Sequence, residues 1–549
     1  MKTLKQNKMK TLTTLFCLLI TSIVFAQWTT DTNVNTLVAD SEGLDMQTLG
    51  TSDGQTYIVF WENVAPPTNI ELRLQILDAD GNQTLGSNGA LVSDQIPMGT
   101  FTVTWNMVVD SEDNLYIGVT GTGGGDPAFV FKMDSSGTHL WNPNGVAIGN
   151  GNVVTILPLT AGGAVVSWLS SIGAIMQKYD ENGDPVWPTT QPITTGSGFT
   201  APANFFELSN GDFIAVFHQL IGGINSNLYA QRYDVNGDSV WANAVQLSNR
   251  ATTFNRFYSG VQDGDVVYMG YFASAGTRFD SYLQRINPDG ALPWGINGSD
   301  FDINETDFEM TTAIAFETGS QYVWAVANYT NSTQDQNGEY VQKFDKDTGA
   351  RELTDNAKVV FPIGSDKVHV ANLDLKEDSP LFLMEAGINN GVAPTTLNAV
   401  YLDENGDFVW LEETLPVATF GASKSRVQFT KAVNNQNIAV FIEDKGSGER
   451  IYAQNFVDPS LGVGDSDLIL ESILMFPNPA NDQVSLTNQE GFQLNSASVY
   501  DVLGRLVKTF NLTDMGTHRV LDISELTKAT YYVLIKGDGY QVTKQLIKK

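Results

Sequence analysis

The residues best suited to chemistry are few and scattered. The four histidines, His139, His218, His369 and His518, form no His-x-x-x-His or comparable metal pair. His218 closes a core-like strand and reads as structural. No Gly-x-Ser-x-Gly elbow is present, and the one cysteine, Cys17, lies in the N-terminal apolar run. Gly121-Thr122-Gly123-Gly124-Gly125 follows a strand-like segment but opens no helix, so it reads as a flexible connection rather than a phosphate cradle. Oxygen ligands are densest in acidic turns. Asp180, Asn182 and Asp184, and again Asp234, Asn236 and Asp238, have the spacing of the first half of a calcium loop. The bidentate Glu such a loop needs at its twelfth position is absent: Gln191 and Val245 stand there. These six residues are the metal candidates, with calcium as the ion, and hairpin turns are the competing reading.

The acidic turns belong to a repeat whose copies return roughly every 45 to 60 residues, close to the periods of propellers and solenoids. Its clearest form is Gln177-Lys178-Tyr179-Asp180-Glu181-Asn182-Gly183-Asp184-Pro185-Val186-Trp187, and eight copies can be aligned, from Leu74–Gly81 to a degenerate Ala453–Asp458. Each copy is a strand followed by a turn. Leu72-Arg73-Leu74-Gln75-Ile76 alternates apolar and polar residues, which is strand periodicity. Asn-Gly or Asp-Gly then supplies positive φ for a hairpin. Trp141, Trp187, Trp241, Trp294 and Trp410 each follow the turn glycine by four residues. A large ring at a fixed position implies packing between neighbouring units, and ligand stacking is the alternative. Upstream of each copy runs a second, continuously apolar segment, such as Tyr57–Trp61 or Phe213–Phe217, which suits a strand buried on both faces.

Several strands per unit and no helical period predict an all-β, eight-bladed β-propeller, with a seven-bladed ring as the alternative. The last copy lacks the Trp-bearing tail. Trp28 and Val34–Val38 look like that missing tail, so the N-terminal segment is expected to complete the last unit and close the ring. The blade turns resemble those of quinoprotein-type eight-bladed propellers. Asp345 to Gly349 has the Asp-x-x-Thr-Gly spacing, although Ala350 opens a tail without the Trp. That resemblance implies quinone redox chemistry, but no cysteine pair or metal motif accompanies the blades.

The two ends carry addresses. Residues 1–26 read as a signal peptide: Lys2, Lys5, Lys8 and Lys10 precede the apolar run Leu15–Phe25, and Val24-Phe25-Ala26 suits cleavage before Gln27. That run is too short to span a membrane, so the mature chain is expected to have no transmembrane segment and no cysteine. The repeat is assigned to residues 27–466. The chain carries 62 acidic and 31 basic side chains, for a net charge of −31, and almost all of the excess lies on the repeat region. Such a surface excludes a nucleic-acid partner, which needs a basic footprint.

Residues 467–549 break the pattern with short, evenly spaced strands, as in a small Ig-like β-sandwich. Phe476-Pro477-Asn478-Pro479-Ala480, Tyr500-Asp501-Val502-Leu503-Gly504-Arg505, the Leu526–Tyr532 segment and the end at Lys548-Lys549 occur in an order that closely resembles the type A sorting domain of the Bacteroidetes type IX secretion system. Pro477, Asn478, Pro479, Gly504, Lys548 and Lys549 carry the resemblance. It implies entry to the periplasm by the signal peptide, export by the type IX machinery, and release or attachment at the outer-membrane surface.

The repeat shows no catalytic constellation, so the leading expectation is a non-enzymatic module binding glycan, protein or surface polymer, with no cofactor other than the calcium candidate. The alternative is an extracellular polysaccharide hydrolase or lyase using carboxylates gathered at one propeller face.

Overall fold

The computed structural model describes residues 28–40, 43–64, 70–98, 103–222, 225–253, 258–387, 394–431, 433–458, 473–488, 494–502, 505–537 and 540–549. The signal segment 1–26, the Gly462–Asp467 stretch where the boundary is expected, and Gly504 lie outside them. The chain divides into two compact units, Met1–Phe456 and Val457–Lys549.

In the larger unit every described element of regular structure is a strand, and the strands succeed one another as eight four-stranded antiparallel meanders. The first comprises Gly43–Gly50, Thr56–Asn63, Ile70–Leu77 and Ala90–Ser93. The fourth and fifth are joined at their edge by the two-residue strand Thr252–Thr253. The eighth takes three strands from the end of the repeat region, Lys424–Phe429, Gln436–Asp444 and Glu449–Val457, and its fourth from the N-terminus, Thr36–Leu37. Thr36 pairs with Ala453 and Leu37 with Tyr452.

The apolar pattern explains this arrangement. The second strand of each unit is buried along most of its length, as the continuously apolar segments require; Leu115–Thr120 is buried throughout. Among the described residues eight hydrophobic clusters fill the spaces between units. Seven join consecutive units, and the eighth packs Ile438, Val440 and Ile442 of the last unit against Met46, Ile58 and Phe60 of the first. Val38, fully buried, belongs to that closing cluster. The sheets therefore form a closed ring, a β-propeller, in which no unit buries its apolar faces alone.

The recurring tryptophans are clasps between units. Trp141 donates its indole N–H to Glu181 O at 2.9 Å, Trp187 to Val235 O at 3.2 Å and Trp241 to Pro288 O at 3.1 Å. Each ring lies on the turn glycine of the following unit. A Cβ at Gly183, whose φ is +83°, would meet Trp141 at 2.9 Å. Trp141 and Trp187 are 3% and 6% exposed, which leaves no ring face for a ligand. Trp28 repeats the contact across the closure, donating to Ala79 O at 2.9 Å and covering Gly81. A second clasp is the buried glutamine of the third strand. Gln177 donates to Trp187 O and accepts from Trp187 N, both at 3.1 Å. Gln454 makes the equivalent bond to Thr29 O at 2.8 Å, so the N-terminal segment occupies the position of a unit's own tail.

The smaller unit is a sandwich. A three-stranded sheet, Ile473–Phe476, Gln483–Asn488 and His518–Asp522, faces a four-stranded one, Leu506–Asn511, Leu494–Asp501, Thr530–Gly537 and Tyr540–Ile547. Val484, Leu486 and Leu521 from the first meet Val499, Val533 and Ile535 from the second in one core.

Candidate functional site

The acidic turns are built from their own side chains. Asp180 Oδ1 accepts the backbone N–H groups of Asn182 at 2.8 Å and Asp184 at 3.0 Å, while Gly183 N donates to Asp180 O. Asp234 does the same with Asn236 and Asp238 at 2.8 and 3.0 Å. These bonds hold the Asp180 carboxyl below the usual carboxylate range. One oxygen of each leading aspartate is thus committed to the turn. Among the described residues no three His, Cys, Asp or Glu side chains gather as a metal site.

The first strands of the units surround an axial cavity of about 720 Å³. Asn106, Asn204, Asn328 and His369 come to it from the second, fourth, sixth and seventh units, beside the rings of Phe205 and Tyr258. First strands are interrupted by bulges where Asn106 and Asn204 emerge, between Thr104 and Asn106 and between Pro202 and Asn204, while Asn328 stands on a second strand, Tyr322–Thr330. A bulge turns the side chain out of the regular alternation. Asn106 Oδ1 accepts the Ile156 N–H at 2.8 Å, and Asn204 Nδ2 donates to Tyr258 O at 3.1 Å, so each also ties its strand to the next unit. His369 Nδ1 lies 2.8 Å from Glu339 Oε1, and the His369 backbone N–H donates to Glu339 Oε2 at 3.0 Å. Among the described residues no Asp or Glu lines the cavity.

A second depression, about 400 Å³, lies between the fifth and sixth units. Arg250, Arg278, Asp280, Asp300, Asp302 and Arg351 line it. Asp280 is held by Arg278 (Nε–Oδ1 2.7 Å) and by the Tyr282 hydroxyl at 3.2 Å. Asp302 accepts from the Tyr329 hydroxyl and from Asn304 N, each at 2.7 Å. Behind them Glu309, 1% exposed, accepts the Ser281 N–H at 2.7 Å. Burial drives all four carboxyls upward. Asp300 is pushed up to about 7, by burial first and then by Asp280 and Asp302, against the pull of Arg250 and Arg351. Glu309 is raised well above its ordinary range, by burial and then by Asp302. Asp280 and Asp302 rise because burial outweighs their hydrogen-bond donors. A carboxyl poised near neutrality beside ionised partners is the usual setting for proton transfer. No local pattern in the sequence marks this group, because its members are spread over two units.

Other ionisable groups are built into the core. His218 Nδ1 is 2.7 Å from Ser226 Oγ, which is 2.8 Å from Thr252 Oγ1, and all three residues are fully buried. The expected structural role of His218 follows from that burial. Lys424 lies fully buried 3.1 Å from Glu443, with the Phe420 and Thr395 carbonyls at 2.8 and 2.9 Å. Burial lowers its pKa despite Glu443.

In the smaller unit, the Pro-Asn-Pro motif and the C-terminal lysines meet. Asn478 Nδ2 donates to Gln545 O at 2.6 Å, and Ile547 N donates to Asn478 Oδ1 at 2.9 Å. Lys549 N donates to Ala480 O at 2.8 Å, and Lys548 Nζ lies 3.4 Å from Asp482. Pro477 and Pro479 flank Asn478, each after a cis peptide bond.

Comparison with known proteins locates one family. Residues 474–549 match the secretion system C-terminal sorting domain. No curated protein matches the chain. Among solved structures, a puromycin hydrolase is 12% identical, with a TM-score of 0.39 over 76% of this chain and 61% of its own. The chain thus spans under two thirds of that enzyme's length. A quinonprotein alcohol dehydrogenase-like protein from Bacteroides thetaiotaomicron is 10% identical, with a TM-score of 0.39 over 66% of this chain and 82% of its own. The polysaccharide lyase Uly1 is 11% identical, with a TM-score of 0.37 over 79% of this chain and 92% of its own. Likenesses at this level carry no chemistry across. The ring of sheets and the matched C-terminal region together identify a β-propeller protein that carries a type IX secretion system C-terminal sorting domain and is exported by that system.

Proposed function

We propose that the exported part is an eight-bladed propeller acting as a binding module for an extracellular glycan, protein or surface polymer, with the axial cavity as its ligand site. The observation that carries this reading is the cavity itself. It is large enough for a small-molecule-sized ligand, it is walled by a closed ring, and side chains from several units converge on it. A ring with a hydrophobic cluster packed at each interface holds those side chains in place without ligand, which lowers the ordering cost of binding. The test is a thermal-shift screen of the full chain against glycans and cell-surface extracts, with mass spectrometry of each mixture. A ligand at about a hundred times its Kd should stabilise by roughly 2.7 kcal/mol. A shift without product supports the module, and turnover contradicts it.

The carboxyl group between the fifth and sixth units favours a second reading, a polysaccharide hydrolase or lyase with Asp300 as proton donor or acceptor. A pH–rate profile that loses its limb near neutrality in Asp300→Asn would establish it. The route is part of the proposal: removal of residues 1–26 in passage to the periplasm, export across the outer membrane, then release or surface attachment. N-terminal sequencing of the exported protein, expected to begin at Gln27, tests the first step.

A further inference from the structure

The axial cavity differs in chemistry from the rest of the molecule. The chain holds 62 acidic side chains, yet among the described residues none lines this space. Of the two basic groups among its described lining residues, the His369 ring is engaged with Glu339, and Lys431 is exposed. What remains is a set of incompletely used amides. Asn106 uses its Oδ1 on Ile156 N, and no bond of its Nδ2 is formed among the described residues. Asn204 uses its Nδ2 on Tyr258 O, while its Oδ1 is shielded from solvent and unpaired. The Asn328 side chain forms no hydrogen bond among the described residues, and its Oδ1 is also shielded and unpaired. Polar groups in such positions ordinarily find partners.

The unmet capacity is mixed: a donor at Asn106, an acceptor at Asn204 and a whole amide at Asn328, the two shielded oxygens reaching a ligand only once their side chains turn toward the cavity. A half-turn of the Asn328 amide exchanges its oxygen and nitrogen without breaking any bond among the described residues. A hydroxyl both donates and accepts, so it can meet any of the three. A charged ligand would enter a lining with no unpaired counter-charge except at Lys431, and desolvating it there is unfavourable. Phe205, half-buried at the wall, adds ring surface that suits the C–H face of a sugar.

We propose that the axial cavity binds an uncharged, hydroxyl-rich ligand, the end of a neutral oligosaccharide chain, through the side-chain amides of Asn106, Asn204 and Asn328. The assignment rests on the reading of the cavity as the ligand site and adds the ligand's class. Asn328 is the informative position because it supports nothing else: Asn328→Leu keeps the shape and removes no hydrogen bond among the described residues. Its melting temperature should equal or exceed that of the unaltered chain, since an unpaired buried polar group is lost.

The experiment is calorimetric titration of the full chain and of Asn328→Leu with cellotetraose, xylotetraose, mannotetraose and maltotetraose, and with tetragalacturonate as the charged probe. The expected result is binding of at least one neutral tetramer, weakened about tenfold or more in Asn328→Leu, with no binding of tetragalacturonate. Binding of tetragalacturonate alone, weakened in Asn328→Leu, overturns the uncharged class and keeps the cavity as the site. Neutral binding unchanged in Asn328→Leu overturns the cavity as the site. Failure of every probe overturns the sugar assignment; the module reading then fails too only if the surface extracts give no shift.

Discussion

Closure of the ring by the N-terminal segment can be tested at Trp28. Its indole is half-buried, donates to Ala79 O at 2.9 Å and covers Gly81 as Trp187 covers Gly237. Trp187 is 6% exposed, and replacing a buried Trp by Ala costs about 3–5 kcal/mol. Trp28 has the same bond but less buried surface, so Trp28→Ala should cost about 2 kcal/mol. Trp187→Phe keeps most of the packing and loses only the N–H, for about 1 kcal/mol. The assay is urea denaturation followed by far-ultraviolet circular dichroism, which is insensitive to the number of tryptophans. All three variants should lower the midpoint of the same propeller transition with its slope unchanged. If Trp28→Ala leaves that midpoint in place while Trp187→Ala lowers it, the N-terminal segment is not a working part of the last unit.

Further outcomes follow from the turns, the carboxyl group and the sorting domain. In the turn led by Asp345, burial raises the carboxyl but donors from Gln321, Thr348 and Asp347 outweigh it, and donors likewise hold Asp134 and Asp403 low. A depressed native pKa gives stability that is present above about pH 4 and lost as pH falls through the native value, so acid titration of the melting temperature should show a decline that Asp345→Ala makes shallower. Asp300 has the opposite sign. Its pKa of about 7 exceeds the unfolded value of about 3.9, so its contribution falls as pH rises from about 4 to 7. Asp300→Asn should therefore raise the melting temperature more at pH 8 than at pH 4.5, roughly the two ends of that window. Adding calcium to the chelator-treated chain should leave the melting temperature unchanged, because the leading oxygens of Asp180 and Asp234 already serve their turns; a shift abolished by Asp180→Asn would establish the metal there. Asn478→Ala removes two bonds to the C-terminal strand and should destabilise the sorting domain by about 1–3 kcal/mol and lower export, measured by limited proteolysis and by the exported fraction.

The sequence discloses those parts of the fold whose signals are local. The continuously apolar second strands, the alternating third strands and the Asn-Gly turns stand where periodicity and turn chemistry put them, and Trp28 is recognisable as a displaced tail because five other tails carry the same ring. The first strands are hard to read because bulges break their alternation and polar residues such as Asn106 and Asn204 replace apolar ones. Outer strands such as Gln191–Pro192 are too short to register. The clasping role of Gln177 and Gln454 is hidden in plain view: the residue recurs, but nothing local says which backbone it grips. Neither depression is legible, for one reason. Asn106, Asn204 and Asn328 belong to three units, and Asp280, Asp300 and Glu309 to two, so each group exists only after the ring has closed.

The most direct test of the axial cavity as the ligand site is a crystal structure of the full chain grown with the neutral tetrasaccharide of highest affinity. Sugar density within reach of Asn106, Asn204 and Asn328 is the predicted result. Density between the fifth and sixth units, beside Asp300 and Arg250, with the axial cavity holding only water, would contradict it and move the function to the carboxyl group.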